Sequence, residues 1–521
     1  MKARLQTLRR MAWRPLSAAD AALNRLYGWR FNPLYQSGAL AVVLLAIVSA
    51  TGLYLIVFYR IGAPWESVER ITGQVWAGRW IRGLHRYASD AALVAVGVHA
   101  LRMFAQGRSW GPRTLAWISG ALLTGLVLLC GWTGYVMVWD VQAQMLAVAG
   151  ARMLDALPLF SMPISRTFVG ESPMPGQFFF LNLFLHIAVP VGMGLVLWVH
   201  VARVARPTLM PPRRVWLAAI LALIGLSLVW PVAMAPRADL LRLPGTVPLD
   251  LFYAIWLPPV LAVPGWTGLA MLVAVVTLVL SVPLWTRLRA ARRPPASTVD
   301  ERLCTGCIQC SLDCPYEAIT MVARADGRAE LLAQVDPARC VSCGICSASC
   351  APMGVGPPGR TGRDQLADVR HLLGETPPAR GEIIVLACDR GLGDPATGWD
   401  PTGARVRSIP CAGNLHTSVV EQWLRAGAAG VLVLACPPRD CWNREGPVWA
   451  RERLFHDREA ELHRRVDKSR VRLAYAARSE VGIGDVELAG FRANLADLAR
   501  DEQLDYVDPI RECDPVLEAI E

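Results

Sequence analysis

Cysteine is almost missing from the first 303 residues of this 521-residue chain, where Cys130 stands alone. Histidine is nearly as sparse: before residue 371 it occurs only at 85, 99, 186 and 200. A disulfide framework is therefore excluded from this half. The basic opening Met1-Lys2-Ala3-Arg4 has no short apolar core behind it, so no cleavable signal peptide is expected. A dinucleotide-binding turn is missing too, because Gly482-x-Gly484 lacks both a third glycine and the flanking strand and helix. The formal charge of +10 comes from arginines that flank apolar runs and form no single basic face with aromatics, which leaves nucleic acid without support as a partner.

What the chain has in abundance is apolar sequence. Hydrophobic residues make up 53% of it and concentrate before about residue 286. Six stretches are long enough to span a bilayer, at roughly 38–59, 88–106, 114–137, 179–202, 215–235 and 265–285. The N-terminal tail, the loops near 102–113 and 203–214 and the stretch 287–293 together hold 18 Lys/Arg, against nine in the three longer opposite loops. The positive-inside rule then puts both termini, and everything after the last span, on the cytoplasmic side of the inner membrane.

The four early histidines form two matched pairs: His85 and His99 are 14 apart, and so are His186 and His200. A helix turns about 100° and rises about 1.5 Å per residue, so each pair shares one face with its members roughly 21 Å apart. Two such helices side by side present two levels of facing imidazoles, an arrangement that can ligate two haems stacked across a bilayer. Ordinary packing or hydrogen-bonding histidines are the alternative. Gly38 and Gly52, and Gly120 and Gly134, repeat the same interval of 14. Glycine leaves room where a porphyrin passes close to a backbone; close helix packing by small residues is the alternative. Asp90, five residues past His85, is either an intramembrane carboxylate or a helix-end group in contact with water.

Of 14 cysteines, 12 lie between 304 and 441. Thiols stay reduced in the cytoplasm, which favours metal clusters there and leaves Cys130 and Cys513 as structural residues. The run Cys304-x2-Cys307-x2-Cys310-x3-Cys314-Pro315 recurs as Cys340-x2-Cys343-x2-Cys346-x3-Cys350. It resembles bacterial ferredoxins with two [4Fe–4S] clusters, in which three close thiolates cap one cube and the fourth reaches across to the other. Cys304, Cys307, Cys310 and Cys350 are thus expected at one cluster, and Cys340, Cys343, Cys346 and Cys314 at the other. Residues 352–380, rich in Gly, Pro and Arg, read as a linker. Beyond them strand-like runs end at Cys388, Cys411 and Cys436, with Cys441 in the next loop and a crossover helix at 417–427. Parallel strands bring such ends to one edge of a sheet. Four converging thiolates suit a [2Fe–2S] cluster, with zinc as the alternative.

The series Cys388, Cys411-Ala412-Gly413 and Ala435-Cys436-Pro437-Pro438-Arg439-Asp440-Cys441 resembles the delta (iron–sulfur) subunit of methyl-viologen-reducing hydrogenases over about 380–500. That family often carries a second cysteine three residues after the first, where this chain has Gly391. The resemblance implies an adaptor that passes electrons to or from a flavoprotein of the heterodisulfide-reductase type, or a hydrogenase. Over about 25–210 the histidine pattern, with Gly78-Arg79-Trp80-Ile81-Arg82-Gly83-Leu84-His85, resembles the haem-bearing N-terminal half of cytochrome b from quinol–cytochrome c and plastoquinol complexes. This implies haem-propionate partners at Arg82 and Arg102, an outer haem on His85 and His186, an inner haem on His99 and His200, a homodimer, and quinone chemistry. Gly134-Tyr135-Val136-Met137-Val138-Trp139 resembles the segment beside the family's outer quinol site. The family's Pro-Glu-Trp-Tyr motif has its nearest counterpart in Pro248-Leu249-Asp250-Leu251-Phe252-Tyr253, with no glutamate and with Asp250 one place off. Ala205 stands where some relatives carry a further histidine, and there is no cysteine near Gly38 to attach an additional haem.

The expected architecture is multidomain. An all-α transmembrane cytochrome b bundle with two b haems covers 1–290, a ferredoxin-type α+β domain 298–355, and an α/β domain with a parallel sheet 380–521. No flavin motif and no unassigned nickel-site cysteine pair remains, so a dehydrogenase is expected on a partner chain. The expected activity is electron transfer between a cytoplasmic flavoprotein or hydrogenase and membrane quinone, through one [2Fe–2S] cluster, two [4Fe–4S] clusters and two haem b groups. Reverse flow from quinol to a cytoplasmic acceptor, or a haem-bearing anchor without a quinone site, are the competing readings.

Overall fold

The structure is a computed structural model that describes residues 2–158, 161–171, 174–205, 209–242, 250–286, 294–438, 441–478 and 480–501. Pro248, Leu249, Cys513 and residues 287–293 of the expected membrane exit lie outside the described residues. The chain divides into two compact units, Met1–Leu288 and Arg289–Glu521.

The first unit is helical: α1 (Lys2–Tyr27), α2 (Ser37–Phe58), α3 (Pro64–Gly73), α4 (Gly78–Ala105), α5 (Thr114–Val138), α6 (Val141–Leu154), α7 (Gly176–Val199), α8 (Arg213–Val229), α9 (Leu257–Leu261) and α10 (Gly265–Thr286). In α4, α7 and their neighbours, apolar residues on all sides replace the one-sided stripe of a soluble helix, as lipid requires. Leu53, Val57, Val191 and Leu284 accordingly point outward and are exposed. Pro64 starts α3 at a position where its missing N–H costs nothing. Helix α5 ends at Trp139, whose φ of 54° is left-handed, and Asp140 then caps α6 by accepting from the N–H groups of Gln142 and Ala143. Past Val199, α7 widens into a π-helical turn, His200–Ala205. The bundle that matters for function pairs α2 with α4 and α5 with α7.

Five helices, not six, are long and apolar enough to cross a bilayer among the described residues: Ser37–Phe58, Gly78–Ala105, Gly111–Val138, Gly176–Val204 and Gly265–Thr286. The expected span at 215–235 is helical only as the 17-residue α8, which stops at Val229. Pro231 explains the stop, since the residue before a proline is pushed out of helical conformation. The second span starts earlier than expected, at Gly78, which places His85 and His99 on one continuous helix.

The second unit opens with a small α+β fold made twice over. Strand β1 (Thr298–Val299) pairs antiparallel with β4 (Val355–Gly356), and β2 (Ile319–Val322) with β3 (Leu332–Val335); short helices α11 (Gln309–Leu312) and α12 (Ile345–Ala348) carry cysteines. The repeat is visible in the backbone. Left-handed residues occur as three pairs at one interval of 36, namely Gly306 and Ser342, Ile308 and Gly344, and Glu317 and Met353. Such turns aim successive N–H groups at a common point, as an anionic cluster needs.

Residues 352–380 correct the linker reading. They hold the helix α13 (Gly362–Glu375), started by a capping box between Thr361 and Asp364. The remainder is a four-stranded parallel sheet in the order β6–β5–β7–β8, from β5 (Ile383–Cys388), β6 (Ala404–Ile409), β7 (Gly430–Ala435) and β8 (Val471–Tyr475). Strands β5 and β7 are buried along their whole length, which is why they read as unbroken apolar runs. Helices α14 (Thr417–Arg425), α15 (Gly446–Phe455) and α16 (Val481–Asp501) complete it. Trp423 of α14 packs on one side of the sheet and Phe491 of α16 on the other.

Candidate functional site

The four histidines fall at two levels of the bundle. His85 and His186 face each other with ring centroids 6.3 Å apart and planes tilted by 58°. Metal–nitrogen bonds of roughly 2 Å on either side of one iron would set imidazole centroids about 6 Å apart, so the gap fits one bis-histidine iron. His99 and His200, at the other level, are close enough to interact electrostatically. The ring nitrogens that turn away are engaged. Nδ1 of His85 lies 3.1 Å from the Val48 carbonyl and 3.0 Å from Thr51 Oγ1. Nδ1 of His186 lies 3.0 Å from the Cys130 carbonyl and 3.0 Å from Thr133 Oγ1. A carbonyl only accepts, so Nδ1 carries the proton in both rings and the lone pair of Nε2 is left to a metal. Ser119 Oγ meets His200 Nδ1 at 2.8 Å.

Each of the four glycines abuts one of these rings. An added Cβ would stand 2.9 Å from His99 at Gly38, 3.3 Å from His85 at Gly52, 3.5 Å from His200 at Gly120 and 2.9 Å from His186 at Gly134. The histidines pack flush against α2 and α5 because those positions have no side chain. Each glycine also follows a hydroxyl residue: Ser37, Thr51, Ser119 and Thr133. These hydroxyls escaped the sequence reading, although a Ser/Thr–Gly dipeptide at the histidine interval was a usable signal.

The two arginines expected at haem propionates have protein partners. Arg82 donates to the Val232 carbonyl at 2.7 Å. Arg102, 2% exposed, forms a 2.5 Å ion pair with Asp20, which is 1% exposed and also accepts from Asn32. Nothing in the sequence of α1 singled out Asp20. Asp90 is buried within α4 and paired with Arg86 at 3.0 Å. Arg86 also pairs with Asp250, to which the Tyr135 hydroxyl donates, and its guanidinium lies 4.4 Å from the centre of the Tyr135 ring. Asp250 uses its other oxygen to accept from the N–H groups of Phe252, Tyr253 and Ala254. The segments singled out around Tyr135 and Asp250 thus meet in one charged cluster directly after His85 and Gly134 in sequence.

In the second unit, two cavities each gather one expected foursome. One is lined by Cys304, Cys307, Cys310 and Cys350. The other is lined by Cys314, Cys340, Cys343 and Cys346. The sulfurs surround a space instead of closing on a point: among the described residues no three His, Cys, Asp or Glu side chains are set to hold a single metal ion. Backbone N–H groups point at the sulfurs, from Ala318 to Cys314 at 3.4 Å and, one repeat later, from Gly354 to Cys350 at 3.3 Å. Burial pushes the Cys346 thiol up to about 12.

At the carboxyl edge of the parallel sheet, Cys388, Cys411, Cys436 and Cys441 are all buried. Cys388 and Cys436 end the adjacent strands β5 and β7, with sulfurs 3.6 Å apart. An added Cβ on Gly446 would stand 2.7 Å from Cys411 Sγ and 3.3 Å from Cys441 Sγ. The hydrogen bond between Cys411 and Cys388 lowers the first thiol and raises the second. At Gly391 an added Cβ would stand 3.1 Å from the Ala476 carbonyl oxygen and 3.8 Å from Cys436 Sγ.

Comparison with known proteins divides the chain in the same sense. Residues 23–208 match the family cytochrome b/b6/petB, 303–354 the 4Fe-4S dicluster domain, and 399–498 the methyl-viologen-reducing hydrogenase, delta subunit. The menaquinol:cytochrome c reductase cytochrome b subunit of Bacillus subtilis (strain 168) is 30% identical over 167 residues, 31% of this chain and 75% of that protein. Cytochrome b6 of Heliobacterium mobile is 28% identical over 181 residues, 34% of this chain and 85% of that one. A solved chain of a hyperthermophilic respiratory Complex III aligns with a TM-score of 0.39 and 17% identity over 48% of this chain and 75% of its own.

Proposed function

The chain belongs to the cytochrome b/b6 family through its N-terminal part, and on that premise we propose that it is the membrane electron-transfer subunit of a quinone oxidoreductase complex. The observation that carries the proposal is the facing pair His85 and His186, 6.3 Å apart, each with Nδ1 held by a helix carbonyl. Buried imidazoles that face each other and whose outer nitrogens are occupied would be prepared to hold iron. His85 and His186 would hold one b haem, and His99 and His200 the other. The two cysteine-lined cavities would each hold a [4Fe–4S] cluster, and Cys388, Cys411, Cys436 and Cys441 a [2Fe–2S] cluster. These groups supply one-electron steps; the protein sets their spacing, their hydrogen bonds and their shielding from water.

The arginine distribution supports both termini and the cysteine-rich unit lying on the cytoplasmic side. Electrons would enter from a cytoplasmic flavoprotein or hydrogenase at the C-terminal domain and leave on quinone in the membrane. We place quinone exchange beside Asp250, Arg86 and Tyr135, since this charged cluster adjoins the His85 and His186 level. A site there would oblige electrons to cross between the two haems, moving charge across the membrane. The test is anaerobic reduction of the purified complex from the soluble side, followed by addition of quinone while b-haem absorbance is recorded. Rapid haem reoxidation is expected. Haems that ignore every quinone would leave the chain a haem-bearing anchor, and haems that only quinol can reduce would reverse the direction.

A further inference from the structure

The two halves of the ferredoxin repeat differ at one pair of equivalent positions. Ile308 and Gly344 each follow the second cysteine of their motif, and both are left-handed, at φ 63° and 80°. Ile308 is 40% exposed. Gly344 instead lies under Asn414, whose amide donates to its carbonyl at 3.0 Å and would stand 2.5 Å from any added Cβ. Asn414 is three residues past Cys411, and Cys343 is close enough to Cys411 to interact with it electrostatically. At this pair of equivalent positions the repeat is therefore docked on the C-terminal domain through Gly344 and not through Ile308.

One side chain locks that docking. Arg453 of α15 is 1% exposed and reaches into the ferredoxin fold. It forms a 3.0 Å ion pair with Asp313, which is 1% exposed and directly precedes Cys314. It also donates to Ser349 Oγ at 2.6 Å, to the Ile345 carbonyl at 3.4 Å and to the Gly413 carbonyl at 3.3 Å. Ile345 lies between Cys343 and Cys346, Ser349 precedes Cys350, and Gly413 follows Cys411 by two. A single planar guanidinium thus ties together loops that carry ligands of all three proposed clusters, and its fixed fork permits only one relative placement of them. Arg458 holds the second oxygen of Asp313 at 2.7 Å.

We infer that Arg453 is a positioning residue that locks the Cys314, Cys340, Cys343 and Cys346 site against the Cys388, Cys411, Cys436 and Cys441 site, making these two direct electron-exchange neighbours. The other ferredoxin site then stands one step further along and faces outward at Ile308. One electron passes at each step, the donor being oxidised and the acceptor reduced by that electron, with no bond made or broken. The inference rests on the reading above that both sites hold iron–sulfur clusters.

The test is electron paramagnetic resonance of the reduced, full-length complex, with iron content measured in parallel. In the unaltered protein the C-terminal cluster is expected to show spin–spin splitting from one ferredoxin cluster. Cys343→Ala should abolish the splitting and Cys307→Ala should leave it. Arg453→Leu, and Gly344→Ile as a second variant that keeps every charge, should reduce the splitting while all three signals and the iron content persist. Arg453→Leu should also lower the potential of the docked cluster, because a nearby positive charge is lost. Splitting that survives Cys343→Ala and vanishes in Cys307→Ala overturns the inference alone. So does splitting unchanged in both docking variants. An unaltered protein with no third iron–sulfur signal brings down the functional reading and this inference with it.

Discussion

Gly134 lies against His186 so closely that a methyl group on its Cα would stand 2.9 Å from the ring. The contact belongs to the helix pair α5 and α7, whose backbones cannot separate without disturbing Thr133 and Cys130, the partners of the same imidazole. Gly134→Val should therefore swing His186 out of line and lose the haem it shares with His85, at a strain of about 1–3 kcal/mol for overpacking. Half of the b-type absorbance should remain, from the haem at the other level.

His99→Ala should have the complementary effect. The haem expected on His99 and His200 should disappear while the iron–sulfur signals persist, because those ligands lie in the other compact unit. Absorbance and paramagnetic resonance spectra of one preparation decide it; joint loss of all cofactors would mean that the two units do not fold independently.

Thr51→Val should leave both haems bound. The Val48 carbonyl still holds His85 Nδ1, but the second acceptor at 3.0 Å is gone. A ring with fewer acceptors on its far nitrogen is a weaker electron donor to iron. The midpoint potential of that haem should rise in a redox titration, with the other haem unchanged.

Cys307→Ala and Cys340→Ala should separate the two ferredoxin sites. Each substitution strikes one cavity only. Iron content should fall by about four atoms per chain in either variant, the content of one cube. The surviving cubane signal should differ between the two.

Asp250→Asn should spare the fold and slow the quinone. Its Oδ1 would still accept from the N–H groups of Phe252, Tyr253 and Ala254, but the charge shared with Arg86 and Tyr135 would be gone. A hydrogen bond to a charged group is worth about 1.5–3 kcal/mol, so reoxidation of the haems by quinone should slow by about tenfold or more. Haem spectra should change little.

The parts of the molecule that follow a period were legible in its sequence. The interval of 14 put His85 with His99 and His186 with His200 on shared helix faces, and the doubled spacing marked the eight cysteines that line the two cavities. Cysteines at strand ends announced a parallel sheet because a buried strand must be apolar until it stops. Non-periodic features were harder. The capping box of α13 was hidden in a stretch whose glycines and prolines suggested a linker. Arg102 pairs with Asp20, 82 residues away, a partner that no local pattern marks. Arg453 sits 140 residues from Asp313, and no local pattern announces so distant a partner. Span length misled at 215–235, where hydropathy continues past Val229 but Pro231 ends the helix.

The rings that would bind iron project from α4 and α7, while the groups that govern those rings sit on α2 and α5. Ligation and its chemical adjustment are thus divided between different helices. Of the two imidazoles that would hold each haem, one is under the control of α2 and the other under that of α5. The two sides of a haem can then be altered independently, and substitutions in helices without a single ligand become the route by which the descent in energy from one haem to the next is graded.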